Sequence, residues 1–367
     1  MAVSHGSSSA MVAGSRPCVA TELDITLPAH PGDQPDDLAR RLAVELSDHD
    51  ALVLRTDYFG PLALAPLMRS ALTDRIGAGS GPVTCVDGRS CGDGLAGIQA
   101  HAIIGAPVHW IEQDGETVGA WYEDSLARYA VLGDVYPLDA SACPEDQCTE
   151  AFDRIESALK SVGFEFCDVV RTWLFANRIL TWYDDLNRSR TRFFRERALF
   201  GRFVPASTGT GMANDHGTAI VTNTLAMRPR GPEAGGRMVD SPEQCPALAY
   251  GSAFSRAAEM RRGALRRVFV SGTASITKDG RTQHVGHVDQ QIVRTMEVVE
   301  ALLAAGGCDF DRVCRAIVYA AVPEAGPAFE RFRTEWDLPA FPTLVVQADL
   351  CRDDLLLEIE LDAIGGE

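Results

Sequence analysis

The chain has 367 residues, of which 46% are hydrophobic and 23% are charged, a composition typical of a globular protein with about two domains. Its net charge of −17 argues against a nucleic-acid partner, because phosphates are bound by clusters of Lys and Arg. No apolar run approaches the ~20 residues that a membrane-spanning helix requires, so we expect no membrane partner either.

The N-terminal residues 1–18 have neither the basic start nor the apolar core of a secretion signal, and we expect a disordered tail there. The ten cysteines are irregularly spaced and form no CxxC pair. His216, His284 and His287 have no partner at metal-ligand spacing, so we interpret them as structural or exposed. These features predict a cytoplasmic protein with reduced thiols, no metal and no cofactor.

In chain order, segments of helical and of strand-like pattern alternate. A helix over residues 36–50 precedes a strand at 51–56, and residues 93–136 have the pattern of hairpins around an Asp114-Gly115 turn. Residues 228–247 are rich in Pro and Gly, which predicts a linker. The other expected elements are helices at 145–162, 180–199, 288–305 and 325–336, and strands at 169–177, 218–227, 266–276, 315–322, 343–350 and 355–364.

Two stretches of the chain repeat one pattern. Gly163–Arg171 (GFEFCDVVR) follows a helical segment, and so does Gly307–Arg315 (GCDFDRVCR). Gly, Phe, Val and Arg recur at matching offsets, and each block continues into a strand, a helix and a Pro-Ala pair, Pro205-Ala206 and Pro339-Ala340. The repeat indicates two similar modules and predicts a site at the seam between them.

The element order within each block predicts an α+β fold, in which a mixed or antiparallel sheet carries helices on one face. We predict a tail at residues 1–18, an N-terminal module with an extension at 19–235, and a C-terminal module at 236–367.

The C-terminal module resembles the Rid/YjgF superfamily of imine deaminases over about residues 245–365, in the segments AYGSAFSRA, FVSGTASI and LLLEIELDAI. More of the chain resembles the chorismatases, which are two-module relatives of the Rid proteins. The segments that carry this resemblance are WYEDSLARYAVLG (121–133), RTWLFANRILTWYDDLNRSRTRFF (171–194), PASTGTG (205–211), YGSAFSRA (250–257), GHVDQQIVRT (286–295) and CRDDLLLEIE (351–360). The resemblance implies cleavage of chorismate, a small dianion, with release of pyruvate.

Glu358 is the candidate acid and base. Strand alternation places Glu358 and Glu360 on one face, opposite Leu357 and Ile359, and flanking apolar residues raise the pKa of a carboxyl by desolvation. The alternative is a glutamate on an exposed sheet face, and the resemblance favours the functional interpretation. Rid enzymes carry an arginine after the Pro-Ala pair, and here Ser207 and Phe341 follow instead, which argues against imine hydrolysis.

Cations for the two substrate carboxylates are expected near the seam. Tyr183 and Arg190 share one face of the predicted helix, and Tyr250 and Arg256 frame YGSAFSR. Each arginine could instead be structural. Gly209 and Gly211 would let the backbone approach an anion, although a plain tight turn is nearly as good an interpretation.

The resemblance also bears on the product, since chorismatases that form 3-hydroxybenzoate look as if they carry a cysteine at the position of Cys351. If residues 343–350 and 355–364 form a hairpin, Cys351 lies at the mouth of the Glu358 site. The expected product is then 3-hydroxybenzoate, with a dihydroxycyclohexadiene carboxylate as the hydrolytic alternative. A Rid-like imine hydrolase and a non-catalytic metabolite-binding protein also stay open, as do a monomer and a Rid-like homo-oligomer.

Overall fold

The computed structural model describes residues 2–3, 11–15, 20–77, 80–91 and 94–366, with the backbone alone for 2–3, 11–15 and Tyr250. Three six-stranded mixed sheets with helices confirm the α+β class. No helix in the described part of the chain is long and apolar enough to span a membrane.

The first sheet is built from the N-terminal third of the chain. Its strands are β1 (Ala2–Val3), β2 (Met11–Ser15), β3 (Thr21–Pro28), β4 (Leu52–Phe59), β5 (Val83–Val86) and β6 (Gly97–Ile104), and its helices are α1 (Pro35–His49) and α2 (Ala65–Ile76).

The second sheet follows directly. Its strands are β7 (His109–Gln113), β8 (Glu116–Glu123), β9 (Ala127–Val135), β10 (Val169–Ala176), β11 (Ala206–Thr210) and β12 (Ile220–Pro229), and its helices are α3 (Pro144–Ser161) and α4 (Tyr183–Glu196). Asp114 and Gly115 join β7 to β8 with positive φ at both residues, as a two-residue hairpin turn requires.

The third sheet is built from the C-terminal part of the chain. Its strands are β13 (Ala234–Val239), β14 (Ala257–Arg262), β15 (Leu265–Ala274), β16 (Val313–Ala320), β17 (Thr343–Gln347) and β18 (Leu357–Gly365), and its helices are α5 (Val288–Ala305) and α6 (Ala325–Glu335). Short 3₁₀ turns lie at Leu62–Leu64, Phe166–Asp168, Ile179–Thr181, Ala247–Tyr250 and Phe310–Arg312.

All three sheets have the same strand order. Counted along the chain within each sheet, the order is first, second, third, sixth, fourth, fifth, and only the fourth and fifth strands pair in parallel. Strand β5 contacts β9, β11 contacts β15, and β17 contacts β3. The three modules therefore form a closed ring with approximate threefold symmetry, and the segment expected as an extension of the N-terminal module builds the first of them.

The repeated sequence blocks occupy equivalent places in the second and third modules. Gly163 and Gly307 both have positive φ after a helix, at 80° and 73°. Arg171 and Arg315 each follow a β-bulge near the start of β10 and β16, and Arg55 does so in β4. The Pro-Ala pairs are not equivalent: Ser207 pairs with Thr172 two residues after Pro205, whereas Thr343 pairs with Ala316 four residues after Pro339.

Each sheet packs one face on its own pair of helices and turns the other toward the centre of the ring. In β18, for example, Ile359 and Leu361 pack with α5 and α6, while Glu358, Glu360 and Asp362 point inward. Alternation along the strand fixes this division, and the predicted shared face of the two glutamates agrees with it.

Charged side chains fill the centre of the ring. The three bulge arginines converge on one indole ring, with the Cζ atoms of Arg55, Arg171 and Arg315 lying 4.3, 4.9 and 5.4 Å from the centroid of Trp173. Arg171 and Arg315 form ion pairs with Glu360, each at 2.6 Å. Buried charges of opposite sign compensate one another here, as such groups must when they are withdrawn from water.

Two segments differ from their sequence-based interpretation. The Pro- and Gly-rich stretch 228–247, expected as a linker, contains β13, which pairs only with β14 at the edge of the third sheet. An edge strand tolerates Gly and Pro because one side of it makes no ladder. The disordered tail expected at 1–18 lies largely outside the described residues, and the described parts of it are β1 and β2.

Candidate active site

A cavity that is partly open to solvent lies at the seam between the second and third sheets. Six of the eight predicted site residues line it: Tyr183, Arg190, Gly209, Arg256, Cys351 and Glu358. The second module supplies the first three of these and the third module supplies the others. The structure brings these residues together at the seam, and their functional roles stay predictions.

Glu358 lies on the floor of the cavity with only 5% of its surface exposed. It pairs across the sheet with Tyr319. Burial, followed by the neighbouring charge of Glu360, raises the pKa of Glu358 to about 8, although Arg256 and Arg171 oppose the shift. The carboxyl is therefore largely protonated at neutral pH and has a proton to donate.

Gly272 in β15 provides the space for this carboxyl. A Cβ atom at Gly272 would lie 2.0 Å from Oε1 of Glu358 and 2.9 Å from its Cδ. The backbone N–H of Gly272 donates to the Thr208 hydroxyl at 3.0 Å, which ties β15 to β11 across the seam. A side chain at this position is incompatible with the observed placement of Glu358.

Helix α4 carries Tyr183 and Arg190 on the face that points to the cavity. Buried Leu186 and Phe193 hold the helix on the second sheet. Arg190 is 3% exposed and donates to the Asn187 side chain at 2.8 Å and, at 3.5 Å, to the Ser207 hydroxyl. The buried guanidinium is thus oriented by its own helix and by β11.

The other arginines of α4 lie outside the cavity, as expected of a solvated helix face. The side chains of Arg188 and Arg192 are 59% and 50% exposed, and each forms an ion pair with Glu145. Of the arginines on this helix, Arg190 is the one that lines the cavity.

Arg256 approaches from the opposite side of the seam, just before β14. It is 4% exposed, and its Nε donates to the Cys245 carbonyl at 3.0 Å. The ring of Phe254 contacts both cations, with its centroid 5.5 Å from Cζ of Arg190 and 5.6 Å from Cζ of Arg256. Two buried arginines and an aromatic ring therefore line one cavity.

Cys351 also lines the cavity, but not for the reason predicted. Strands β17 and β18 do not form a hairpin, because β16 lies between them in the sheet. Cys351 instead reaches the cavity from the connection that crosses over β16. Burial and the charge of Glu358 raise the pKa of its thiol to about 12, so the thiol is neutral at physiological pH.

Two predicted residues are not part of the described cavity. Gly211 lies outside it, because its N–H donates to the Asp349 carbonyl at 2.7 Å and forms a bridge between β11 and the segment after β17. The side chain of Tyr250 falls outside the described residues. Gly209 does line the cavity, and a Cβ there would meet no atom within 4 Å.

Several lining residues were not predicted as site residues: Leu186, Phe254, Gly272, Ile276 and Arg352. Phe254 and Gly272 lie within YGSAFSRA and FVSGTASI, the segments that carried the resemblance, and that is the signal that points to them. Ser207, noted because it replaces the Rid arginine, lines the cavity as well.

The equivalent positions at the other two seams carry no carboxyl group. Glu358 pairs with Tyr319, four residues after the bulge arginine of its module. The same register gives Val221 opposite Phe175 in the second module and Gly97 opposite Phe59 in the first. The proton-donating arrangement is therefore built at one seam among the described residues.

The seam between the first and second sheets holds an ion network instead. Ligand atoms of Asp134, Asp215 and His216 lie within 4.8 Å of one another. Arg69 donates to both carboxylates at 3.0 Å, and the Tyr136 ring stacks on His216 with centroids 3.5 Å apart. His216 therefore has carboxylate partners that the sequence did not predict, and Arg69 binds the same two carboxylates. His284 and His287 are exposed in the loop before α5.

Comparisons with known proteins give a family model, a curated relative and a solved structure of similar fold. Residues 247–365 match the family model described as endoribonuclease L-PSP. A 3-hydroxybenzoate synthase from Streptomyces hygroscopicus is 30% identical over 229 residues, which cover 54% of this chain and 64% of that protein. The chain thus spans just under two thirds of the length of this curated relative. The crystal structure of a chorismatase is 19% identical and superposes with a TM-score of 0.62, over 85% of this chain and 93% of that chain, which shows a shared fold.

Proposed function

We propose that the chain is a chorismatase and that it converts chorismate to 3-hydroxybenzoate and pyruvate at the seam between the second and third sheets. The observation that carries the proposal is a buried carboxyl, Glu358, in a cavity lined by two buried arginines, where burial raises the pKa of the carboxyl to about 8. An acid that protonates carbon and cations that hold a dianion are the two requirements of this reaction.

Arg190 and Arg256 bind the two carboxylates of chorismate in this proposal. Both guanidinium groups are nearly buried, and a desolvated cation binds a carboxylate more strongly than an exposed one does. They approach from different modules, so a substrate with two separated carboxylates is held across the seam. Tyr183, on the same helix as Arg190, also lines the cavity.

Glu358 donates its proton to the methylene carbon of the enolpyruvyl group. The ring carbon–oxygen bond then breaks, and its oxygen leaves within pyruvate. Together, 3-hydroxybenzoate and pyruvate have the composition of chorismate. The ring must therefore lose one proton, as its remaining hydroxyl migrates, for the one that Glu358 gives to the methylene carbon. The carboxylate that remains on Glu358 accepts this proton as the general base.

Cys351 acts in the proposal by occupying space and not as a base, because its thiol remains neutral. A polarisable thiol beside the ring excludes the water that the hydrolytic reaction consumes. Loss of that exclusion gives the alternative product, a dihydroxycyclohexadiene carboxylate. We propose a cytoplasmic location because the nine cysteines that the structure describes are all free thiols.

Incubation with chorismate, followed by chromatography of the products, tests the proposal. The expected products are pyruvate and 3-hydroxybenzoate in equal amounts. Glu358→Gln should abolish both, while Glu300→Gln on the exposed face of α5 is the matched control and should leave turnover unchanged. Saturable chorismate binding without turnover would indicate a binding protein, and turnover of imines alone would indicate a Rid-like hydrolase.

A further inference from the structure

Two buried carboxyl groups on β18 have opposite surroundings. Glu360 is fully buried and lies two residues from Glu358 on the same face. It accepts hydrogen bonds from Arg171 and Arg315, each at 2.6 Å, and from Nε1 of Trp173 at 2.8 Å. Although burial opposes ionisation, the two arginines hold the pKa of Glu360 below its usual range. Glu360 therefore carries a fixed negative charge beside Glu358.

The same hydrogen-bonded group reaches the floor of the cavity. Nη2 of Arg171, which binds Glu360, also donates to the Thr208 hydroxyl at 2.6 Å. That hydroxyl accepts the N–H of Gly272 at 3.0 Å, and Gly272 borders the carboxyl of Glu358. Glu360 is thus connected to Glu358 along β18 and again across the seam through Arg171 and Thr208.

We propose that Glu360 is a positioning residue, whose permanent charge between Arg171 and Arg315 keeps Glu358 in its protonated form and ready to donate. The proposal rests on the function assigned above to Glu358 and adds the group that controls it. Two carboxyl groups whose surroundings separate their proton affinities are the usual means by which an acid stays protonated at neutral pH. Arg171 and Arg315, which follow the β-bulge in their modules, bind Glu360 beside the seam that carries Glu358.

Other charged and titratable groups lie around Glu358 or line the same cavity. They are Arg256 before β14, Tyr319 on β16, Arg171 on β10, Tyr183 and Arg190 on α4, and Cys351 and Arg352 in the connection before β18. Arg256 and Arg171 lower the pKa of Glu358, and Glu360 raises it. Loss of the Glu360 charge should therefore lower the pKa of Glu358, because the attraction of Arg171 is then unopposed.

The test is the variant Glu360→Gln, which removes the charge and preserves the shape. Side chains two residues apart on one strand face are about 7 Å apart, so the lost charge should lower the pH at which Glu358 titrates by about one to two units. Difference infrared spectroscopy against the same protein with Glu358→Gln follows the Glu358 carboxyl directly and requires no turnover. The alkaline limb of kcat/KM with chorismate should move by the same amount.

Asp362→Asn is the matched control. Asp362 is also fully buried on the same face of β18 and forms ion pairs with Arg315 and Arg267, but it lies two residues further from Glu358. General damage to the buried ion network should affect both variants alike, whereas the proposal requires the larger shift in Glu360→Gln. An equal shift in both variants, or none in either, overturns the proposal.

The outcomes separate this inference from the proposed function. If Glu360→Gln shifts the infrared titration while the wild-type protein does not consume chorismate, the proposed function fails and the role of Glu360 stands. If Glu360→Gln does not fold, the titration of the wild-type protein decides. A Glu358 carboxyl that is already ionised at pH 6 there overturns the inference.

Discussion

The space that Gly272 leaves for Glu358 gives the sharpest test of the active site. In Gly272→Ala, the new Cβ would lie 2.0 Å from Oε1 of Glu358, and real Cβ contacts essentially never fall below 3.0 Å. The carboxyl must therefore move by about 1 Å. A displacement of this size at a reacting group costs about 10²-fold in rate. We expect kcat for chorismate to fall by about that factor.

The same substitution should leave the fold intact. Gly272 does not adopt the left-handed backbone conformation, so alanine fits its backbone without strain. Replacement of Gly by Ala at such a position stabilises a protein by about 0.4–1 kcal/mol through the unfolded chain, which offsets part of the cost of moving Glu358. Thermal unfolding should therefore shift by only a few degrees.

Gly209→Ala is the control within the same cavity, because its Cβ meets no atom within 4 Å and does not displace the carboxyl. Steady-state kinetics and thermal unfolding of both variants complete the test. The reasoning is refuted if Gly272→Ala keeps kcat near that of the wild type, since the position of Glu358 would then not limit the reaction.

Three further outcomes are expected. The pKa of Glu358 rises from 4.5 to about 8 on folding. The wild type should therefore lose stability relative to Glu358→Gln as pH increases from 4.5 to 8, by up to about 5 kcal/mol, and the difference should be small below pH 4.5. Chemical denaturation across this pH range measures the difference in the free energy of unfolding. Arg190→Ala and Arg256→Ala should each weaken chorismate binding by about 2–5 kcal/mol, whereas Arg192→Ala on the exposed face of the same helix should not, and unchanged KM and kcat in the first two would place the carboxylate clamp elsewhere. Cys351→Ala should shift the product toward the dihydroxycyclohexadiene carboxylate with chorismate consumption largely kept, and an unchanged product ratio would make Cys351 a packing residue.

The second and third modules could be predicted because the sequence repeats where the fold requires particular residues. Gly163 and Gly307 stand eight residues before Arg171 and Arg315, and each needs a positive φ that glycine adopts at little cost. Glu358 and Glu360 could be placed on one face because strand alternation is strict. These signals depend on local backbone geometry, which the sequence expresses directly.

The first module lacks those signals. Asp50 takes the left-handed position after α1, and it stands only five residues before Arg55. The shorter connection removes the Gly and Phe of the repeat, so only Val53 and Arg55 remain of the pattern. Cys351 was expected beside Glu358, but the hairpin expected to bring it there was wrong, because strand order in a sheet depends on long-range pairing. Phe254 and Gly272 could not be selected, because their contacts with Arg190 and Thr208 join two modules.

The covalent continuity of the ring has a consequence for how such a site diverges. In an assembly of three identical chains, a substitution at a seam appears three times, and every seam must tolerate it. In this single chain each seam changes alone, so Val221 and Gly97 can stand where a third seam keeps Glu358. The seam with Arg69 can carry an ion network, while the seam with Glu358 carries the cost of burying an acid.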